Sequence, residues 1–243
     1  MERSARIIAV TGGSRGIGAA IVRRLAHDGF GVLVGYRSDE AAAEALVREL
    51  RAAGRVAAAR RVEITDATSL ESFLDAAEAL GPLGGLVASA GAVTAVGALA
   101  TLEPEAIRRD LDVNVLGAVL SCRAAAPRLA RTGGSIVLLG SAATASGSPG
   151  SYVHYAAAKA AVATLAVGLA KELAPSGVRV NCVEPGTVWT DFHLDPDRPA
   201  KVAAAIPLGR AGQPDEIAGA VAWLISEDAA YATGAVLRVA GGL

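Results

Sequence analysis

The sequence predicts an α/β protein of three layers, a parallel sheet covered by helices on both faces, and three observations predict it. Short apolar runs rich in Val and Ile alternate with longer helix-like stretches, the pattern of successive β-α units. Most of those runs lack in-out alternation, so the strands are apolar on both faces and need helices above and below. The chain has 243 residues, 52% hydrophobic and 19% charged, and no Pro/Ser-rich linker or charge block divides it. One domain over residues 1–243 follows, with enough apolar matter for a large core.

The elements follow in order. A first strand over Ile7 to Val10 runs into a glycine-rich turn and then a helix carrying Ile17, Ile21 and Leu25 at i, i+4 and i+8. Strands are expected at Val32 to Gly35, Ala57 to Glu63 and Leu86 to Ser89, and Leu46 and Leu50 at i, i+4 mark a helix after the first of these. Glu103-Pro104-Glu105 reads as a helix start, with Pro in the first turn and acids suiting the helix dipole. A strand over Ser135 to Gly140 precedes a helix beginning near Pro149 or Gly150. Arg179 to Val183 is the sixth strand, Pro214-Asp215-Glu216 opens a helix bearing Ile217, Val221 and Leu224, and Val236 to Val239 closes the set.

Charge and composition exclude several functions. With 23 Lys plus Arg against 24 Asp plus Glu, the net charge of −1 does not suit a protein gripping nucleic acid or an anionic membrane by bulk charge. Mean hydropathy is +0.41, yet the uncharged run Thr132 to Ala158 is broken by Gly133, Gly134, Gly140, Gly147, Pro149 and Gly150, and Gly81 to Leu102 fails as a membrane span for the same reason. Arg3 and Arg6 precede too short an apolar stretch for a signal-peptide core, so a cytoplasmic protein is expected. Cys122 and Cys182 fit no metal spacing and read as small buried hydrophobes in a reducing compartment.

Thr11-Gly12-Gly13-Ser14-Arg15-Gly16-Ile17-Gly18 joins the first strand to the first helix. Glycines there let backbone N–H groups approach an anion at the positive end of the helix, as a pyrophosphate requires. The spacing is Gly-x-x-x-Gly-x-Gly, without the Gly-Lys-Ser/Thr of a P-loop. A plain glycine turn is the alternative. After the second strand come Tyr36, Arg37 and Ser38, and no acid until Asp39, where an NAD-binding fold places a carboxylate for the ribose 2′-hydroxyl. Arg37 with Arg15 could instead bracket a 2′-phosphate, each charge-assisted contact contributing roughly 1.5–3 kcal/mol.

The densest polar set is Asn114, Ser141, Tyr155 and Lys159. Tyr155 and Lys159 are i, i+4 neighbours on one helix face. An ammonium beside a phenol favours phenolate, and moving a Tyr from about 10 to about 7 takes roughly 4 kcal/mol. Tyr155 is thus the candidate acid or base. Tyr152 has Ala156 at i+4 and is assigned to packing.

These motifs, in this order and spacing, resemble the short-chain dehydrogenase/reductase (SDR) family in its short, single-domain form, over essentially the whole chain. The resemblance implies a doubly wound Rossmann fold with a seven-stranded parallel sheet in the order 3-2-1-4-5-6-7. It makes Asn114, Ser141, Tyr155 and Lys159 the catalytic set. Cofactor contacts are implied for Gly12, Ser14, Arg15, Gly16, Ile17 and Gly18, for Tyr36, Arg37 and Ser38, and for Glu63 and Ile64 at the adenine. The same holds for Ser89, Ala90 and Gly91, for Tyr155 and Lys159, and for Pro185, Gly186, Val188 and Thr190 beside the nicotinamide. Three departures stand out. Ser89 replaces the usual Asn of Asn-Asn-Ala-Gly, Glu63-Ile64 replaces Asp-Val, and Ser141 lies one residue farther from Tyr155 than in many bacterial ketoacyl reductases.

The family chemistry implies that Ser141 holds the carbonyl, Tyr155 donates the proton, Lys159 lowers the Tyr pKa and grips the nicotinamide ribose, and Asn114 holds a water. The segment 188–207 resembles the family's substrate lid. Val93, Ser141, Ala143, Tyr152, Gly186, Trp189, Phe192 and His193 are the expected substrate residues; small and mainly apolar walls suggest a modest, uncharged or partly apolar carbonyl compound. His27 and His154 are assigned structural or packing roles. NADP(H) is the expected cofactor, with NAD(H) an alternative, and a homotetramer or homodimer built on the apolar Ala156 to Ala170 helix is the expected assembly. The resemblance is strongest to 3-oxoacyl-acyl-carrier-protein reductases and glucose-dehydrogenase-like members, so a ketoreductase or a sugar or secondary-alcohol dehydrogenase is implied. Two rivals come from other classes. Gly12-x-Ser14-x-Gly16 formally matches the nucleophile elbow of a serine hydrolase, although an elbow normally follows a mid-chain strand, and a Rossmann fold can also serve as a non-catalytic dinucleotide sensor.

Overall fold

Seven parallel strands form one sheet in the computed structural model, which describes residues 6–243; Arg3 lies outside the described residues. The strands are β1 (Ile7–Thr11), β2 (Gly31–Tyr36), β3 (Ala57–Arg61), β4 (Leu83–Ala88), β5 (Gly134–Leu139), β6 (Val178–Pro185) and β7 (Val236–Val239), in the order β3-β2-β1-β4-β5-β6-β7. The helices are α1 (Gly16–His27), α2 (Glu40–Ala52), α3 (Ala67–Leu80), α4 (Pro104–Leu111), α5 (Gly117–Thr132), α6 (Ala143–Ser146), α7 (Val153–Leu173), α8 (Arg198–Val202) and α9 (Pro214–Ile225). From β1 the chain first builds outward to β3, then returns to place β4 on the other side of β1. Strand order therefore reverses between β1 and β4, and a crevice opens at their carboxyl ends.

Alternation along each strand divides the core into two layers. Ile8 and Val10, Val32 and Val34, and Val137 and Leu139 face α1, α2 and α9, where Ile21, Leu25, Leu46 and Val221 are buried. Ile7 and Ala9, Leu33, Leu86, and Ile136 and Leu138 face α3, α5 and α7, where Phe73, Leu74, Leu129 and Val162 are buried. Each such fully buried large side chain contributes about 1.5–3 kcal/mol over its exposed state. The segment Val153–Ser176 is long and apolar enough to cross a membrane. Here Val162, Ala166 and Ala170 of α7 lie in the second core layer.

Several boundaries differ from expectation, the sixth strand for one running Val178–Pro185, and three have a clear physical reason. The third strand ends at Arg61 and not Glu63, because β3 is a sheet edge where only its first residue is fully buried, and Val62 and Glu63 turn away toward the crevice. The fourth begins at Leu83 and not Leu86: Gly84 and Gly85 are strand residues, and a Cβ at Gly85 would stand 2.5 Å from the Ser135 carbonyl of β5. The helix expected near Pro149 starts at Val153, since Gly147 (φ +69°) and Gly150 (φ +70°) hold the preceding residues in turns.

Three helix starts are closed by side chains. Asp39 accepts from Ala42 N–H at α2, Asp66 from Thr68 and Ser69 N–H at α3, and Gln213 and Glu216 form a capping box at α9. No side chain caps α1, and its first turn holds no acid.

Candidate active site

The crevice is a cavity of about 840 Å³, reaching from the turn before α1 to the segment carrying α8, within the range of small-molecule and cofactor sites. All twenty residues expected at the cofactor line it. Gly12 (φ +65°) and Gly16 (φ +53°) occupy left-handed backbone, and a Cβ at Gly12 would stand 2.8 Å from the Ala90 backbone. A Cβ at Gly18 would overlap the Gly12 carbonyl oxygen. The turn is thus pulled tight against β4, and the uncapped N-terminus of α1 faces the cavity with its N–H groups unclaimed by side chains. That donor set fits the pyrophosphate of a dinucleotide.

At the carboxyl end of β2, the Tyr36 hydroxyl donates to Glu40 (3.0 Å). Arg37 reaches into the cavity rim at 71% side-chain exposure and pairs with Glu63 (3.3 Å). Glu63 also accepts from the Thr65 hydroxyl (3.0 Å). Arg15, the exposed residue before α1, lies on the same rim. Beyond β4, the Thr11 hydroxyl accepts from Ala90 N–H, tying β1 to the turn that presents Ser89, Ala90 and Gly91.

Asn114 sits in a single π turn, Asp112–Leu116, between α4 and α5, a helical irregularity common at functional sites. Its amide donates to Ala92 O (2.6 Å) and Asp110 O (2.8 Å) and accepts from Ala92 N–H (3.3 Å), which pins the β4 turn to the helix. Asn114 is buried behind the cavity wall. Gly91 makes room for it: a Cβ there would stand 2.9 Å from Asn114 Oδ1 and 3.3 Å from Lys159 Nζ. One glycine thereby brings these two side chains to the same spot.

Tyr155 and Lys159 project from the first turns of α7. Lys159 Nζ donates to Leu139 O at the end of β5 (2.9 Å) and lies 5.6 Å from the Tyr155 ring centroid. Burial pushes the Lys159 ammonium down to about 8. Burial likewise pushes the Tyr155 phenol up, against a smaller lowering by the neighbouring Ser141 hydroxyl. This corrects the expectation of a Lys159-stabilised phenolate. The ammonium addresses the face of the ring and the Leu139 carbonyl, burial raises the phenol, and Tyr155 at neutral pH carries a proton to give.

Ser141 follows Gly140, whose absent Cβ would meet Cys182 Sγ at 2.8 Å. The Ser141 hydroxyl accepts from Ala143 N–H (3.2 Å). Its turn is held by the buried Glu184, which accepts from Thr144 (2.7 Å) and pairs with Arg238 (2.9 Å). Cys182 and Cys122 are buried, and burial pushes both thiols up to about 12.

Of the substrate residues, Val93, Ser141, Ala143, Tyr152, Gly186, Phe192 and His193 line the cavity. Trp189 does not. It is 43% exposed and outside the wall, its backbone N–H bonded to Gly212 O (3.0 Å). The parallel bridge between Val188 and Gly212 fixes this stretch so that Val188 is buried and the next side chain turns to solvent. Tyr152 meets Tyr155 edge to face, centroids 5.6 Å apart, and Phe192 closes from the other side at 6.1 Å. His193 bonds Val188 O (3.0 Å), and His27 is exposed beside Asp28. No hydrogen bond joins a histidine to Ser14 among the described residues, so the elbow-like turn has no base.

Two features escaped the sequence expectations. His154, assigned to packing, is buried with Nε2 2.9 Å from Asp110; Asp110 also accepts from the backbone (2.9 Å) and hydroxyl (2.7 Å) of Thr94. This polar knot lies directly behind Asn114 and Tyr155. Arg198, the one arginine in the 188–207 segment, lines the cavity beside Tyr152.

The chain is similar to known oxidoreductases over nearly its whole length. The family model described as enoyl-(acyl carrier protein) reductase matches residues 12–243. The chain is 41% identical over 244 residues to the uncharacterized oxidoreductase YgfF of Escherichia coli, covering 97% of this chain and 99% of that protein. It is 39% identical over 241 residues to cis-4-hydroxycyclohexanecarboxylate dehydrogenase of Sinomonas cyclohexanicum, covering 98% and 96%. The crystal structure of a blue fluorescent protein from a metagenomic library in complex with NADPH superposes with TM-score 0.89 at 36% identity, covering 98% of this chain and 97% of that one.

Proposed function

Since the chain belongs to the short-chain dehydrogenase/reductase family, an oxidoreductase family acting on alcohol and carbonyl groups with a nicotinamide dinucleotide, we propose that it is an NADP(H)-dependent ketoreductase of small-molecule carbonyl compounds. One observation carries the reading. A single cavity joins a glycine turn fit for pyrophosphate to Ser141, Tyr155 and Lys159, with two arginines at the rim where a 2′-phosphate would lie. The NADPH complex of a 36% identical structure supports the same cofactor. Bound there, the nicotinamide supplies hydride to the carbonyl carbon.

The chain's own residues do the rest. Ser141 and Tyr155 offer two hydroxyls to one carbonyl oxygen, and the charge developing on that oxygen is stabilised in a low-dielectric site. Tyr155, held as a phenol by burial, gives its proton to the oxygen. Lys159, with its ammonium pushed down to about 8, stays largely cationic at neutral pH and favours the phenolate left behind. Asn114 keeps the β4 turn and the Lys159 pocket in register. Phe192 and Tyr152 exclude water around the reacting hydroxyl. In the oxidative direction the Tyr155 phenolate takes the proton from the alcohol.

Arg37 is shared with Glu63, yet an exposed ion pair contributes only about 0.2–1 kcal/mol against roughly 1.5–3 kcal/mol for a charge-assisted phosphate contact. A 2′-phosphate therefore draws Arg37 away. The exposed small-residue stripe Ala157, Ala161, Thr164 and Gly168 on α7 supports assembly into a homotetramer or homodimer, and we expect a cytoplasmic enzyme. Titration with NADPH and with NADH, followed by nicotinamide fluorescence, tests the reading. Much tighter NADPH binding is expected; equal binding removes the NADP assignment, and binding of neither removes the enzyme assignment.

A further inference from the structure

Arg198 opens the short helix α8 and turns back into the cavity. Its guanidinium carbon lies 5.1 Å from the Tyr152 ring centroid, and one terminal nitrogen donates to the Tyr152 hydroxyl. Its Nε is buried and has no hydrogen-bond partner. Among the described residues no carboxylate pairs with it. Asp195, on the same wall, is held by Lys201 (2.7 Å). A guanidinium laid on the Tyr152 ring with its Nε unmet keeps part of its donor fork open, and that planar fork is shaped for bidentate capture of a carboxylate.

We propose that Arg198 anchors a carboxylate on the substrate, so that the enzyme works on small oxo and hydroxy acids. Tyr152 neighbours both Arg198 and Tyr155, its ring centroid 5.1 Å from the Arg198 guanidinium carbon and 5.6 Å from the Tyr155 ring centroid. The substrate then carries an acid group as well as the reacting carbonyl. This replaces the expectation of an uncharged substrate drawn from the small apolar residues of the walls. The inference rests on the ketoreductase reading, since the second anchor of the substrate is the Ser141–Tyr155 pair.

The test uses the full-length enzyme loaded with NADP+, which cannot reduce a ketone, and titrates 4-oxocyclohexanecarboxylate and its methyl ester by calorimetry. The acid is expected to bind at least tenfold more tightly than the ester, about 1.4 kcal/mol. Arg198→Met brings that ratio close to one, Arg198→Lys leaves part of it, and Lys171→Met, which removes an exposed cation outside the cavity wall, leaves it whole. NADPH titration of each variant checks folding. Equal binding of acid and ester to the wild type, or an acid preference that survives Arg198→Met, overturns the proposal. Separate assays of ketone reduction with NADPH keep the two readings distinguishable. Neutral ketones reduced with no role for Arg198 would leave the ketoreductase standing without its carboxylate site. Arg198-dependent acid binding without turnover of any ketone would do the reverse.

Discussion

Replacing Arg37 by Ala measures how the rim chooses between NADPH and NADH. Arg37 is paired with Glu63 at 3.3 Å, and at 71% side-chain exposure it can swing to a phosphate at little steric cost. Leaving Glu63 costs about 0.2–1 kcal/mol, and a charge-assisted phosphate contact returns roughly 1.5–3 kcal/mol. The net preference from this one side chain is about 0.5–2.8 kcal/mol, or roughly twofold to a hundredfold in the NADPH-to-NADH affinity ratio at 1.36 kcal/mol per tenfold. Arg37→Ala should lower the ratio by that factor, chiefly by weakening NADPH. Glu63→Gln should move it the other way, because it removes the competing carboxylate. Fluorescence titration at low and high salt reads both, and the Arg37 effect should shrink with salt. A ratio unchanged in Arg37→Ala, or a lower one in Glu63→Gln, would refute the competition between Glu63 and the phosphate.

Three further outcomes are expected. His154→Ala leaves Asp110 a donor short in the interior and should cost about 1–3 kcal/mol, a fall in Tm of roughly 2–4 °C per kcal/mol for a chain of this size; an unchanged Tm would mean the knot contributes nothing. Cys122 and Cys182, their thiols pushed up to about 12, should resist a thiol reagent at pH 8 until the protein unfolds; rapid native labelling contradicts their burial. Lys159, pushed down to about 8, binds fewer protons folded than unfolded between about pH 8 and 10.5. Its burial therefore costs stability below pH 8, a cost of about 3 kcal/mol that disappears as pH rises through that window. Wild type should gain on Lys159→Met over this range in parallel urea melts, and a constant difference contradicts the desolvated ammonium.

What the sequence made legible follows from which interactions are local. The glycine turn before α1, the i, i+4 pairing of Tyr155 with Lys159 and the Pro-acid starts of α4 and α9 are set by neighbouring residues, and each stands where its pattern put it. Long-range packing decided the rest. Val62 and Glu63 read as strand by composition, but an edge strand has one partner, and β3 stops at Arg61. Leu83 to Gly85 reads as loop because of its glycines, which are there so that β5 and Arg6 can approach. The Tyr155 phenol was expected to fall on account of one nearby ammonium, whereas its pKa answers to its whole desolvated surroundings. Trp189 looked like a pocket residue by place in the chain, and the bridge of Val188 to Gly212 turned it out. Arg198 was passed over because the segment around it is mostly apolar; a lone arginine in such a segment was itself the signal.

The central claim is that Tyr155 transfers the proton in a site that binds the cofactor independently of it. The direct measurement is Tyr155→Phe against wild type, with NADPH affinity by fluorescence and ketone reduction by loss of NADPH absorbance, both on the same preparation. The account predicts an NADPH affinity close to that of wild type and no measurable turnover. Retained turnover in the Phe variant would contradict it.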